Sequence, residues 1–206
     1  MNARVVLASS STRRRSLLAS AGFQAIAIAP AVDDGSLRVR ARSAQRDCVA
    51  LAWFKVAQVI KTPQLFQARA AGARVLVAAD TVCVLGDEVM GKPSTADEAR
   101  RMLRSTLGRT QRVVTGVCLV DLQRSERSLF ADVAEVHFGE ITPTQLDQHI
   151  ARDGWQGRAG GYNIEELPSL GWPVTWTGDQ TTIIGLPMNM LTPILNQMLL
   201  RGMMPT

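Results

Sequence analysis

A single α/β domain spanning residues 1–206 is what this sequence predicts, and three observations lead there. A continuous apolar run from Val75 to Leu85 is rich in β-branched residues in both alternating registers, the pattern of a strand buried on both faces. Segments of helical period alternate with shorter apolar runs along the chain, as when helices pack on a sheet. No stretch has the composition of a linker, so nothing divides the chain.

Taken in order, residues 4–8 read as a short apolar strand. SSSTRRRS follows, then Leu17, Leu18 and Ala21 at helical spacing until Gly22 ends the helix. Residues 24–29 read as a second strand leading to Asp33-Asp34. Residues 43–60 form a long helix with Val49, Ala52, Trp53, Val56 and Ile60 on one face. Cys48, Leu51 and Val59 widen that face, which places Lys55 at a buried flank. Pro63 stops the helix, and a short helix over residues 64–72 precedes the central strand. Thr95-x-x-Glu98 is a capping box that starts a helix with Ala99, Met102 and Leu103 inward and Gly108 beyond its end. Residues 113–122 and 128–138 are strands of a hairpin turning at Arg124-Ser125-Glu126. Residues 142–151 are a helix with Leu146 and Ile150 inward, and residues 155–182 are glycine-rich and irregular. A last helix covers about 187–200, with Pro193 kinking or restarting it.

Composition narrows the function. No apolar run reaches the 18 or so residues of a membrane span, and the apolar N-terminal run is too short for a signal peptide. A cytoplasmic protein without a membrane partner is expected. Cys48, Cys83 and Cys118 form no CxxC pair and no Cys/His cluster, so buried free thiols are expected. His137 lies in a strand and His149 in a polar helix, which speaks against a histidine-based triad. The net charge is +5, and the first 46 residues hold eight arginines against Asp33 and Asp34 alone. That asymmetry favours an anionic partner. Aromatics are only 5%, too few for obvious base-stacking platforms, so a small anion is favoured over nucleic acid.

Three places could carry chemistry. Ser9-Ser10-Ser11-Thr12-Arg13-Arg14-Arg15 stands between a strand and a helix, where unpaired N–H groups, hydroxyls and guanidinium forks can hold phosphate. Its plain alternative is a serine cap with solvated arginines, but three arginines in a first turn oppose the helix dipole unless an anion sits there. Asp80 lies inside the central strand, where a carboxylate is costly unless paired or metal-bound, and Lys92 returns between Gly91 and Pro93. Asp34 and Asp80 are hard oxygen ligands without a His/Cys set, which points to Mg²⁺, with Mn²⁺ or Co²⁺ as alternatives. In the third place, Arg158 to Glu165, glycines that let a backbone approach a ligand closely sit between a base and an acid, or else form a flexible surface loop. Gly86 to Lys92 fits GxxxxGK, but Pro93 stands where a P-loop needs Ser or Thr, so that motif is rejected. These features together indicate metal-assisted chemistry on a phosphorylated small molecule.

The motifs, in order and spacing, resemble the Maf family of nucleotide pyrophosphatases over nearly the whole chain. LASSSTRRRSLL is similar to the family's LASxSPRRxELL, and Val32-Asp33-Asp34 to VDE. Leu51-Ala52-x-x-Lys55 resembles LAxxKA, and Ala79-Asp80-Thr81 with Gly91-Lys92-Pro93 resembles ADT and GKP. Gly108-Arg109-Thr110 and Val114-Thr115-Gly116 follow in register. Arg158-Ala-Gly-Gly-Tyr162 resembles KAGAY, and Ile184-Gly185-Leu186-Pro187 resembles VxGLP. The resemblance implies an elongated, mixed, twisted sheet flanked by helices, in two lobes with a cleft, as in ITP-type pyrophosphatases. It implies cleavage of a nucleoside triphosphate, standard or modified, between its α and β phosphates, a housecleaning role, a magnesium-type metal and, often, a homodimer. By matching position, Asp80, Lys92 and Lys55 would be catalytic, and Ser9, Arg13 and Arg14 would hold phosphate. Asp34 and Asp80 would hold the metal, and Thr81 and Glu165 would select the base.

Four departures stand out: Thr12 for proline, Asp34 for the longer glutamate, Arg158 for lysine, and residues 166–182 throughout. Thr81 resembles pyrimidine-acting members and Glu165 those acting on 7-methyl-GTP. Two rivals remain: an ITP-type pyrophosphatase, and a non-catalytic nucleotide or nucleic-acid binder that regulates cell division.

Overall fold

The computed structural model describes residues 3–31 and 39–201. Among these residues seven strands form one mixed sheet: β1 (Ala3–Leu7), β2 (Phe23–Ala27), β3 (Val75–Leu85), β4 (Glu88–Met90), β5 (Thr110–Asp121), β6 (Arg127–Phe138) and β7 (Val174–Thr177). Their order is β2-β1-β3-β5-β6-β7, with β4 paired to β3 off this path. β2, β1 and β3 run parallel, and β3, β5, β6 and β7 are antiparallel neighbours.

Among the described residues seven α-helices pack on the sheet: α1 (Thr12–Ser20), α2 (Ala44–Val59), α3 (Pro63–Ala70), α4 (Ala96–Thr106), α5 (Pro143–Ala151), α6 (Gln180–Ile184) and α7 (Met188–Arg201). On one face Leu76, Ala78, Cys118 and Val120 meet Ala52, Val56 and Val59 of α2 and Leu65 of α3. On the other, Val75, Val77 and Leu119 meet Leu18 of α1 and Leu191 and Leu195 of α7. Further along the same strands a second centre forms from Cys83, Leu85 and Val113 with Leu103 of α4, Ile150 of α5, Tyr162 and Trp172. β3 runs from one centre to the other, so the two lobes share a strand.

Local chemistry explains most boundaries. Thr62 caps α3 with Pro63 at its first turn, so Pro63 begins α3 and α2 has already ended at Val59. Thr95 accepts from Glu98 N, while the Glu98 carboxylate reaches Ser94 N and Oγ at 2.7 and 2.6 Å rather than the cap's own N–H. The reciprocal half of the expected capping box is thus shifted one residue upstream. Asp121, buried, accepts from Gln123 N and Arg124 N, and Ser125 takes φ 60, closing the β5–β6 hairpin where the sequence predicts it. α7 continues through Pro193 without restarting. Gly86, at φ 62, opens the two-residue turn between β3 and β4, so the GxxxxGK segment is a hairpin and not a phosphate loop before a helix.

β7 and the start of α6 lie where the sequence reads as irregular, and β4 occupies residues to which the sequence assigns no element. α6 is held by Asp179, whose Oδ1 accepts from Thr181 N and Oγ1 and whose Oδ2 accepts from Asn189 N. Among the described residues no helix is long and apolar enough to cross a membrane, and all three cysteines are free and buried.

Candidate active site

β3 has an unusual edge. Residues 75–77 pair with β1 and residues 83–85 pair with β4 on the side away from β5, and among the described residues no strand pairs with 78–82 there. Asp80 and Thr81 sit in this gap. Their side chains leave β3 on opposite faces, because strand side chains alternate, yet both line one cleft of about 600 Å³ that enters through the gap.

On the α2 face, Lys55 Nζ lies 2.6 Å from Asp80 Oδ1 and 3.5 Å from the Ala79 carbonyl. Both side chains are buried, at 8% and 11% exposure. The approach of α2 depends on Gly116, the β5 residue directly opposite Asp80. A Cβ on Gly116 would fall 2.3 Å from Cys48 C and Val49 N, so α2 backbone lies against bare sheet backbone there. Two turns later the same helix delivers Lys55.

The loop from β1 to α1 supplies the next wall. Ser11 caps α1, accepting from Arg14 N, and Ser11 N donates to Ser9 Oγ at 3.1 Å. Arg14 Nη1 approaches the same Oγ at 3.5 Å. With its lone pairs engaged, Ser9 keeps its hydroxyl proton as a donor toward the cleft. Arg14 also donates from Nε to the Gly185 carbonyl at 2.8 Å and from Nη2 to Thr81 Oγ1 at 3.1 Å, tying α1, β3 and the end of α6 together. Arg13 lines the cleft; burial pulls its guanidinium below the ordinary value, and the charge of Arg158 adds to the effect. Arg15 is exposed.

Across the cleft stand Lys92, just after β4, and the segment 156–164, anchored by Gly160 N on the Gly91 carbonyl at 3.0 Å. Gly160 takes φ 74, and a Cβ there would meet Tyr162 and Cys83. Cys83, Tyr162, Ile164, Ile183 and Ile184 add apolar surface to the lining. Tyr162 accepts from Gln111 Nε2 at 2.5 Å, and burial raises its phenol and pushes the Cys83 thiol up to about 12. The described lining carries five cations (Arg13, Arg14, Lys55, Lys92 and Arg158) against one carboxylate, Asp80. Cations together with apolar surface suit a ligand that carries both an anionic chain and a flat ring.

The structure thus brings Ser9, Arg13, Arg14, Lys55, Asp80, Thr81 and Lys92 to one cleft. Glu165 is exposed and does not line it, although its charge reaches Arg13. Asp34 lies outside the described residues. Sequence reasoning missed Glu166, which takes Arg158 in a bidentate pair at 2.7 and 2.9 Å and accepts from Asn163 Nδ2 at 2.8 Å. The Arg158 hydrogen bonds draw the Glu166 carboxyl below its ordinary value. A pair eight residues apart in an irregular segment leaves no periodic trace. Only Asn163-x-x-Glu166, a polar turn spacing, hinted at it.

A magnesium-type ion fits this donor set. Among the described residues no group of three His, Cys, Asp or Glu could cage a metal. One carboxylate beside a cationic, phosphate-sized space matches how Mg²⁺ binds, through one or two carboxylates with the rest supplied by phosphate and water.

Comparison with known proteins agrees with the geometry. The family model described as Maf-like protein matches residues 4–198. The dTTP/UTP pyrophosphatase of Rhodopseudomonas palustris (strain HaA2) is 35% identical over 193 residues, covering 93% of this chain and 90% of that protein. That of Brucella abortus (strain 2308) is 35% identical, covering 90% and 86%, and that of Rhodopirellula baltica 33% identical, covering 93% and 80%. With a family model matching residues 4–198 and relatives about 35% identical over most of its length, the chain belongs to the Maf-like protein family.

Proposed function

We propose that this protein is a nucleoside triphosphate pyrophosphatase that cleaves between the α and β phosphates, releasing a nucleoside monophosphate and pyrophosphate. The observation that carries the reading is the buried Lys55–Asp80 pair at the floor of a cationic cleft. The relatives' activity on dTTP and UTP supports pyrimidine nucleotides as the substrates.

Arg13, Lys92 and the hydroxyl of Ser9 hold the phosphate chain, with the N-terminus of α1 behind them. Lys55 fixes Asp80 through Oδ1, leaving Oδ2 to orient a water and take its proton as that water attacks phosphorus. The apolar side chains of the lining receive the base. A Mg²⁺ ion held by Asp80 with Asp34, or Mn²⁺ or Co²⁺ in its place, would supply charge neutralisation across the phosphates. Free buried thiols suit a reducing cytoplasm, and the exposed Trp53, Ile60 and Phe66 suit a homodimer contact.

The test is pyrophosphate release from dTTP, UTP, CTP, ITP, GTP and 7-methyl-GTP with Mg²⁺ or Mn²⁺, beside Asp80→Asn. Turnover on dTTP and UTP is expected, falling by about 100-fold or more in the variant. A folded protein that binds nucleotide and releases no pyrophosphate from any of the six would leave the non-catalytic binder standing instead.

A further inference from the structure

Arg158 lines the cleft with a planar guanidinium that has five N–H groups, and its partners decide which of them stay open. Nη1 donates to the Gly154 carbonyl at 2.7 Å and to Glu166 Oε2 at 2.7 Å, which uses both of its protons. Nη2 donates one proton to Glu166 Oε1 at 2.9 Å. Among the described residues nothing accepts from the remaining two, Nε–H and the second Nη2–H. These two lie side by side and point the same way. An edge of that shape matches two oxygens of one phosphate.

The carboxylate that takes the other edge is itself fixed. Glu166 is not part of the lining. Asn163, buried, donates to its Oε1 at 2.8 Å, and Glu166 N donates back to the Asn163 carbonyl at 3.0 Å. Ser169 Oγ holds the Glu166 carbonyl at 2.7 Å. The backbone of Arg158 is tied on both sides, its N–H to Trp155 O and its carbonyl to Gly161 N. Arg13 lies near enough to feel the pair. Burial pulls its guanidinium below the ordinary value, the charge of Arg158 pulls the same way, and those of Glu165 and Glu166 push back. Two guanidinium groups facing one space repel, so Arg158 would turn away from Arg13 without a carboxylate to hold it. Two departures from the Maf motifs, Arg158 and the segment that opens at Glu166, thus meet in one ion pair.

We propose that Glu166, braced by Asn163, is a positioning residue that holds Arg158 as a preset fork for one phosphate of the bound chain. A loose arginine would lose its rotamer freedom when the ligand arrives; here that loss is taken on folding. A carboxylate that merely neutralised Arg158 would have the opposite effect, weakening the hold on an anion. Removing Glu166 therefore loosens a phosphate chain if it positions and tightens it if it only neutralises. The inference rests on the pyrophosphatase reading only in taking the ligand to carry a phosphate chain.

Glu166→Gln tests it, by calorimetric binding of inorganic tripolyphosphate and by KM and kcat for dTTP. Glutamine keeps the size of the side chain but has one acceptor oxygen, so it cannot take both Nη groups. The expected result is a tripolyphosphate Kd and a dTTP KM each raised about tenfold, with kcat changed by less than about twofold. In an Arg158→Gln background the same substitution should move Kd by less than about twofold, because Glu166 acts through Arg158. An unchanged or tighter Kd, a drop in kcat alone, or the same loss without Arg158 would overturn the proposal. Should Glu166→Gln not fold, Arg158→Lys keeps the charge without the fork; its Kd must rise likewise, and an unchanged Kd overturns the proposal. Tripolyphosphate binding needs neither base nor turnover. A protein that releases no pyrophosphate from any nucleotide, yet loses tripolyphosphate affinity in Glu166→Gln, would fail the pyrophosphatase reading and not this one. Turnover of dTTP with a KM indifferent to Glu166→Gln would do the reverse.

Discussion

Single side chains here are chosen for where their charge can rest. A lysine and an aspartate buried together gain little net stability, since desolvation offsets their attraction, but removing either strands the other. Lys55 and Asp80 are therefore costly ornaments unless the site uses them, which is why a pair with 2.6 Å between its atoms reads as function. His149 illustrates the opposite choice. Its Nε2 donates to the Gly161 carbonyl at 2.9 Å, the ring packs on Trp172 and sits where a Cβ on Gly154 would be, and burial pulls its pKa below 6.5. The fold holds it neutral, so its contribution is complete above pH 6.5 and is lost as pH falls through the lowered value. The unfolding free energy from urea titrations at pH 7 to 5 should fall by up to about 1.4 kcal/mol per pH unit. His149→Gln should flatten that slope; an unchanged slope would mean the imidazole is not the group responsible. Glu166 also loses its contribution as acid is added, but only below its ordinary 4.5, outside this window.

At the scale of elements, the register of α2 on the sheet depends on one missing methyl. Gly116→Ala puts a Cβ into the helix backbone, and neither backbone can step aside as a flexible side chain would. The substitution should cost about 2 kcal/mol in denaturant unfolding and, by drawing Lys55 back from Asp80, over about tenfold in kcat. Wild-type kcat in a correctly folded Gly116→Ala would show that α2 has freedom its packing denies. The long elements were legible because their signals repeat: eleven residues of β3 carry one pattern, and α2 shows four turns of another. β7 has only four residues, half of them solvent-facing on a sheet edge. α6 holds Thr-Thr-Ile-Ile, β-branched residues with poor helical propensity. Its helix exists because Asp179 caps it and α7 receives it, information stored ten residues away. The cleft residues were legible as motifs, but which one meets which was not. Nothing in the order of residues says that Arg14 reaches Gly185 or that Glu166 takes Arg158.

For the molecule as a whole, the cleft and the two lobes have one origin. β3 is long enough to serve both packing centres, and its two short neighbours on one edge do not meet. The opening between them brings residues from both sheet faces to one ligand, so the fold needs no separate domain to build a site. It also reverses the usual order of exposure inside a sheet. The Val77 carbonyl accepts from Ala8 on this edge, and the two-residue period of a strand puts Ala79 and Thr81 on the same side. In amide hydrogen–deuterium exchange, Ala79 and Thr81 should exchange faster than Leu76 and Val84 near the strand's ends, and should slow when a nucleotide is bound. Uniform slow exchange along β3 would contradict an open edge. The centre of the central strand, the slowest part of most sheets, is here the part that reports on occupancy of the cleft.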